Sequence, residues 1–230
     1  MERMDPCLIT DLALFRGLTP AQQTQVGARL YCRTFLAGSN IIMADQPGEV
    51  VYIIQSGTVK IHIEQADGRD VILAILGPGD IVGEMSLIDS AGRSASVVTL
   101  EDSQLVWFSG EVFQEFLRTI PVFAQNLVRV LSGRVRLANE LVQALATLDV
   151  NGRVARQMLA FAEKYGRPGA NGAVVIPIRL TQGDIADLVG ASRKRVNQVM
   201  VTFKQMGYLS VDEKGRVTVY DRPALARLCR

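Results

Sequence analysis

The stretch Gly83-Glu84-Met85-Ser86-Leu87, followed after a short connector by Arg93-Ser94-Ala95, decides how this chain is read. It brings a glycine-led turn, a carboxylate, two hydroxyls and a guanidinium close together in sequence. A forked cation with backbone N–H donors suits a phosphate. A carboxylate shielded from water suits a sugar hydroxyl as its acceptor. The two together fit a cyclic nucleotide.

The sequence around this stretch is strand-like. Ile41-Ile42, Val50-Val51-Tyr52-Ile53-Ile54, Val59-Lys60-Ile61-His62-Ile63, Val71-Ile72-Leu73-Ala74-Ile75-Leu76, Ser96-Val97-Val98 and Leu105-Val106-Trp107-Phe108 are short β-rich runs. Turn formers separate them: Gly38-Ser39-Asn40, Pro47-Gly48, Ser56-Gly57, Asp67-Gly68 and Gly77-Pro78-Gly79-Asp80. Many short strands punctuated in this way predict a β-sandwich or barrel. Before them, residues 8–30 carry apolar residues at helical spacing, with Thr19-Pro20 opening a second short helix.

A long helix is predicted from Pro121. Val128, Leu131, Val135, Ala138, Val142 and Leu145 alternate at spacings of three and four, the a/d seam of a coiled coil. Leu127, Val130, Leu137 and Leu141 add neighbouring apolar stripes. One stripe is expected to pack on the parent domain and the a/d seam on a second copy, giving a parallel homodimer. A break is expected at Asp149-Val150-Asn151-Gly152, then a helix over 153–165, a turn-rich loop over 166–172 and a strand over 173–178.

Thr181-Gln182-Gly183-Asp184 has the form of a capping box and opens a helix with Ile185, Ala186, Leu188 and Val189. Gly190-Ala191 makes a tight turn, and Ser192 caps a second helix running to about Met206. Val196, Val199, Met200 and Phe203 form its buried stripe, while Arg193, Lys194, Arg195, Asn197 and Gln198 face outward. Arg and Gln read guanine and adenine edges in the major groove, where the start of a recognition helix lies. The runs 209–211 and 216–220 then read as a β-hairpin, the wing of a winged helix, with Lys214 at its tip placed for a phosphate.

Charge supports this division. Residues 1–120 carry 8 Lys/Arg against 15 Asp/Glu, and residues 121–230 carry 17 against 8. A basic second half suits nucleic acid. Cys7, Cys32 and Cys229 are scattered singly and His62 is the sole histidine, so no metal, haem or iron–sulfur group is expected. No Ser/His/Asp set or Walker-type loop points to an enzyme. No apolar run spans a membrane and the first ten residues lack a signal-peptide core, so a cytoplasmic protein with no membrane partner is expected.

Taken together, these elements resemble the Crp/Fnr (catabolite activator) family of bacterial transcription regulators, along essentially the whole chain. The fold implied is α+β: a cyclic-nucleotide-binding β-roll of jelly-roll type over 1–120, a dimerisation helix over 121–148 and a winged helix-turn-helix over 149–230. Gly83-Glu84-Met85-Ser86 and Arg93-Ser94-Ala95 match both halves of the family's phosphate-binding cassette. The resemblance implies that Arg93, Ser94 and the backbone near Glu84 and Met85 hold a cyclic phosphate. Glu84 accepts from the ribose 2′-OH, and Leu73 and Ala74 line the ligand wall. Without ligand, Glu84 and Arg93 are expected to be able to bridge to each other.

Where cAMP-activated members offer two hydroxyls or a Thr-Asn pair to the base, this chain has Ala138 and Asn139. Cyclic AMP is the first choice, with cGMP and cyclic di-GMP open. The family's Ser-Arg-Glu-Thr-Val pattern is Ser192-Arg193-Lys194-Arg195-Val196 here, so a palindromic operator with an altered consensus is implied. Thr181, Gln182, Ser192 and Lys214 join the DNA-facing set. The loop around Pro168–Asn171 corresponds to the place where family activators touch RNA polymerase. Binding without any ligand is the rival expectation.

Overall fold

The computed structural model describes residues 2–3, 12–65 and 70–229. Cys7, the first part of the segment read over 8–30 and the turn at Ala66-Asp67-Gly68 lie outside the described residues. The chain divides into two compact units, Met1–Ile63 with Ala74–Arg136, and Glu64–Leu73 with Leu137–Arg230.

The first unit begins with β1 (Glu2–Arg3), a 3-10 turn at Ala13–Phe15 and α1 (Pro20–Gly27). The strands β2 (Tyr31–Phe35), β3 (Asn40–Ile42), β4 (Val50–Ser56), β5 (Val59–Glu64), β6 (Asp70–Leu76) and β7 (Ile81–Val82) follow. After the short α2 (Met85–Ile88) come β8 (Ser96–Thr99), β9 (Ser103–Ser109), α3 (Gly110–Thr119) and α4 (Pro121–Thr147); the part of α4 from Leu137 and the part of β6 up to Leu73 count with the second unit. The strands form two sheets, ordered β1-β2-β9-β4-β7 and β3-β8-β5-β6. Phe35, Tyr52, Ile54 and Leu105 of the first sheet cluster with Ile42, Val59, Leu76 and Val97 of the second, so the sheets pack face to face.

Strand β4 shows why its sequence is apolar throughout. Successive side chains leave a strand on opposite faces. Tyr52 and Ile54 enter the sandwich core. Val51 and Ile53 enter a second core formed with the helices, beside Phe108, Phe113, Phe116 and Phe123. The aromatic rings of that core, with Phe15, lie with centroids 5.7 to 6.3 Å apart. They fasten α3 and the start of α4 to the sheet. Asn126 of α4 donates to the carbonyls of Leu14 at 3.1 Å and Arg16 at 2.7 Å, which ties the early turn to the same helix.

Several elements differ from the sequence expectation. Among the described residues, the helical spacing read over 8–30 yields the expected short helix α1, which Thr19 opens with a capping box through Gln22, and before it only a 3-10 turn. The reading also gave no element to β2 or α3. β2 has only one fully buried side chain, Phe35, so its apolar alternation is weak. Helix α3 is capped by Ser109 and buries Val112, Phe113 and Phe116.

The second unit holds α5 (Val150–Tyr165), β10 (Arg167–Pro168), a 3-10 turn at Ala170–Gly172, β11 (Val174–Ile176), α6 (Gln182–Val189), α7 (Arg193–Gln205), β12 (Leu209–Val211), β13 (Val217–Val219) and α8 (Arg222–Arg227). Its four strands are ordered β10-β11-β13-β12. The expected break over 149–152 is shorter than its composition suggests. Asp149 caps α5 by accepting from the Gly152 amide at 2.8 Å, so the helix starts at Val150. Gly152 is there for space: a Cβ on it would lie 2.6 Å from the carbonyl oxygen of Leu228.

That contact sets two effects against each other in Gly152→Ala. Helix propensity favours alanine by ~1 kcal/mol. Overpacking against a backbone carbonyl costs about 1–3 kcal/mol. The clash is expected to win, and a lowered denaturation midpoint for the second unit checks it.

Candidate functional site

The cassette is built around Gly83, whose φ of 88° belongs to the left-handed region. A Cβ there would come within 2.6 Å of Arg93 Nη1 and 2.9 Å of the Val50 carbonyl oxygen. The glycine is what lets the Arg93 fork lie flat against the backbone. Arg93 Nη1 donates to the Gly83 carbonyl at 2.6 Å and to Ser86 Oγ at 3.0 Å, and Nη2 donates to the Val50 carbonyl at 2.7 Å. The side chain is buried. Burial pulls the guanidinium below its ordinary pKa, against the opposing pull of Tyr52, Glu84 and Glu49. Arginine remains charged in spite of that.

Glu84, 1% exposed, stands at the start of α2. Its Oε1 pairs at 2.5 Å with Nη1 of Arg134, on α4. Arg134 Nη2 also donates to the Ile81 carbonyl. The expected Glu84–Arg93 bridge is therefore replaced. Each charge has its own partner, because Arg93 is held by carbonyls while α4 brings a second guanidinium to the carboxylate. Arg134 is the residue that the sequence reading missed. A carboxylate predicted to be buried needs a cation, and Arg134 lies one helical turn before Ala138, which would have pointed to it.

The remaining cassette residues are more open. Met85 and Ser94 are exposed and Ser86 is buried. Ala74 packs partly buried against the sandwich core, and Leu73 is exposed. Ala138 and Asn139 are exposed on α4. Of the seam, Val128, Val135 and Val142 are 63%, 59% and 66% exposed and Leu145 is also exposed, whereas Leu131 packs half-buried against the first unit's helix-side core.

An anionic ligand with a sugar hydroxyl fits these residues. Three of the five N–H donors of Arg93 are used on protein, leaving Nε and one Nη2 hydrogen. Arg134 Nε is buried and has no hydrogen-bond partner. Buried donors of this kind are normally satisfied.

In the second unit Thr181 and Asp184 form both bonds of the capping box, and Gly190 takes the left-handed conformation that ends α6. Ser192 caps α7 by accepting from the Arg195 amide. Arg193, Lys194, Arg195, Asn197 and Gln198 are all exposed, while Val196, Val199, Met200 and Phe203 are buried. Gln182 bonds to Asn197 across the two helices. The β12–β13 turn is fixed by Asp212, whose Oδ1 accepts from the amides of Lys214 and Arg216, and it presents Lys214 to solvent.

Two family descriptions match separate parts of the chain. A cyclic nucleotide-binding domain matches residues 32–120, and a Crp-like helix-turn-helix domain matches residues 152–228. The molecule is a cyclic-nucleotide-responsive, DNA-binding transcriptional regulator. Over 223 residues it is 34% identical to a CRP-like cAMP-activated global transcriptional regulator of Mycobacterium tuberculosis, covering 97% of this chain and 99% of the relative. A Cyclic AMP receptor protein of Thermus thermophilus is 31% identical over 195 residues, 84% of this chain and 86% of that one. The chain belongs to the Crp/Fnr family of transcription regulators. Among solved structures, the c-di-GMP responsive global regulator CLP of Xanthomonas campestris matches with a TM-score of 0.70 and 25% identity, over 88% of this chain and all of that one. No helix among the described residues is long and apolar enough to cross a membrane.

Removing one partner of a buried ion pair leaves the other charge uncompensated, at about 3–5 kcal/mol. Arg134→Ala is expected near the low end, since Arg134 keeps 23% of its side chain exposed. Adding Glu84→Gln should recover most of the loss. A double-mutant cycle in urea measures both.

Proposed function

We propose that this chain is a homodimeric regulator in which cAMP, held by the cassette, controls binding to a palindromic DNA operator. The observation that carries this reading is the buried Arg93 fork, with Glu84 held beside it by Arg134. Arg93 and Ser94 take the cyclic phosphate, with help from the amides near Glu84 and Met85. The ribose 2′-OH donates to Glu84. Because that carboxylate already pairs with Arg134 on α4, ligand binding changes what α4 is bonded to. Ala138 supplies no hydrogen bond to a base, which leaves Asn139 as the candidate on that helix.

The exposed valines support pairing of α4 with a second copy. Val128, Val135 and Val142 recur every seven residues, and β-branched residues at a with leucine at d favour a parallel two-stranded coil. In the dimer the two copies of α7 enter successive major grooves about 34 Å apart. Ligand shifts the population towards that spacing. A ligand with equal affinity for both states shifts nothing.

Arg193 reads guanine, and Lys194, Arg195, Gln198 and Lys214 supply further base and phosphate contacts. The protein acts by binding rather than catalysis, in the cytoplasm, with RNA polymerase as a further partner. Family membership and the basic second half support these roles.

Calorimetric titration of ligand-stripped protein with cAMP, cGMP and cyclic di-GMP tests the effector. Cyclic AMP is expected to bind, and Arg93→Ala to weaken it roughly 100-fold, as for a charge pair truncated in a desolvated site. Unchanged affinity in Arg93→Ala rejects the cassette assignment. Val135→Glu is expected to yield monomers in sedimentation while leaving the fold intact; a stable dimer would move the interface away from α4.

A further inference from the structure

On the exposed side of the helix-turn-helix, Gln182 Nε2 in the first turn of α6 donates to Asn197 Oδ1 on α7 at 3.0 Å. Asn197 lies four residues after Arg193, so the two share one face of α7, one turn apart. That face borders the buried stripe of Val196, Val199 and Met200, and both side chains on it are exposed.

A carboxamide oxygen has two lone pairs and its nitrogen two hydrogens. Gln182 takes one lone pair of Asn197. The other lone pair and the Nδ2 hydrogens remain, and this acceptor–donor pair matches adenine N6–H and N7 in the major groove. The terminal torsion of a free Asn is broad. The donor that Gln182 places on Oδ1 sets which end of the Asn197 amide is acceptor and which is donor before DNA arrives. We propose that Gln182 and Asn197 work as one adenine-reading unit, Asn197 taking the base edge and Gln182 acting as a positioning residue that sets its amide. This rests on the DNA-binding reading above.

A plain staple between α6 and α7 is the competing account. The two helices already pack on each other, and each buries an apolar face, with Ile185, Leu188 and Val189 on one and Val196 and Met200 on the other. One exposed amide–amide bond adds little to that. An orienting role explains why it is made on the face carrying Arg193.

The test is selection from a randomised palindromic library by the full chain, with and without cAMP, for wild type, Asn197→Ala and Gln182→Glu. The carboxylate in Gln182→Glu accepts from Asn197 Nδ2 and reverses the amide. The wild type is expected to select adenine at one position of each half-site. Both variants are expected to lose that preference by about tenfold or more, with other positions kept and the thermal midpoint unchanged. An even loss across all positions, or a wild-type operator with no adenine that depends on Asn197, overturns the inference while the DNA-binding reading stands. Selection of no operator by the wild type overturns both.

Discussion

The carboxylate of Glu84 is the constraint around which the first unit is organised. It is almost wholly buried, and a buried charge without a partner is costly by several kcal/mol. Its partner, Arg134, comes from a helix that starts outside the sandwich and is anchored there by Phe123, Asn126 and Leu127. Anchoring and pairing depend on each other. Without the aromatic core α4 would not present Arg134, and without Arg134 the buried carboxylate would lose its ion-pair partner. A buried ion pair adds little net stability over an apolar pair of equal volume. What it supplies is a charge relation between the cassette and α4, so a hydrogen-bond donor reaching Glu84 alters the surroundings of a residue fifty positions away.

Strand β4 carries the second half of this organisation. It is buried on both faces, and the Val50 carbonyl at its start accepts from Arg93. The same strand therefore contributes to both cores and to the seat of the cation. Gly83 completes the arrangement by leaving out the one atom that would push the guanidinium away. The cassette depends on backbone as much as on side chains, and for that reason its precision comes from the sheet rather than from the exposed connector.

How much could be read from the sequence followed the range of each interaction. The capping box at Thr181, the cap at Ser192, the Gly190 turn and the hairpin ending in Lys214 are local, and all appear where their residues imply. The β-rich runs from Ile41 to Phe108 became strands because alternation and turn formers agree. The pairings that span long stretches of chain were not legible: Arg134 with Glu84, Arg93 with the Val50 carbonyl, and Gln182 with Asn197. Among the arginines of α4 the one pointer to Arg134 is its place a turn before Ala138, and that signals a cation only once Glu84 is known to be buried. Asp149-Val150-Asn151-Gly152 misled for a different reason. Its composition is that of a turn, yet Asp149 serves as a cap and Gly152 answers to a carbonyl seventy-six residues away.

The Arg93 fork also limits how this sequence can drift. Its two terminal nitrogens reach two carbonyls and one hydroxyl in a fixed plane. A lysine ammonium is a single point and cannot span them. The commonest charge-preserving exchange would therefore leave Val50 or Gly83 without its donor, in a buried setting. The connector before it is different. Residues 88–92 are exposed, and Ser90 already adopts a left-handed backbone without glycine. Over the cassette, changes of length and composition can gather in those five positions, while the arginine that closes them is held by geometry to a single residue type.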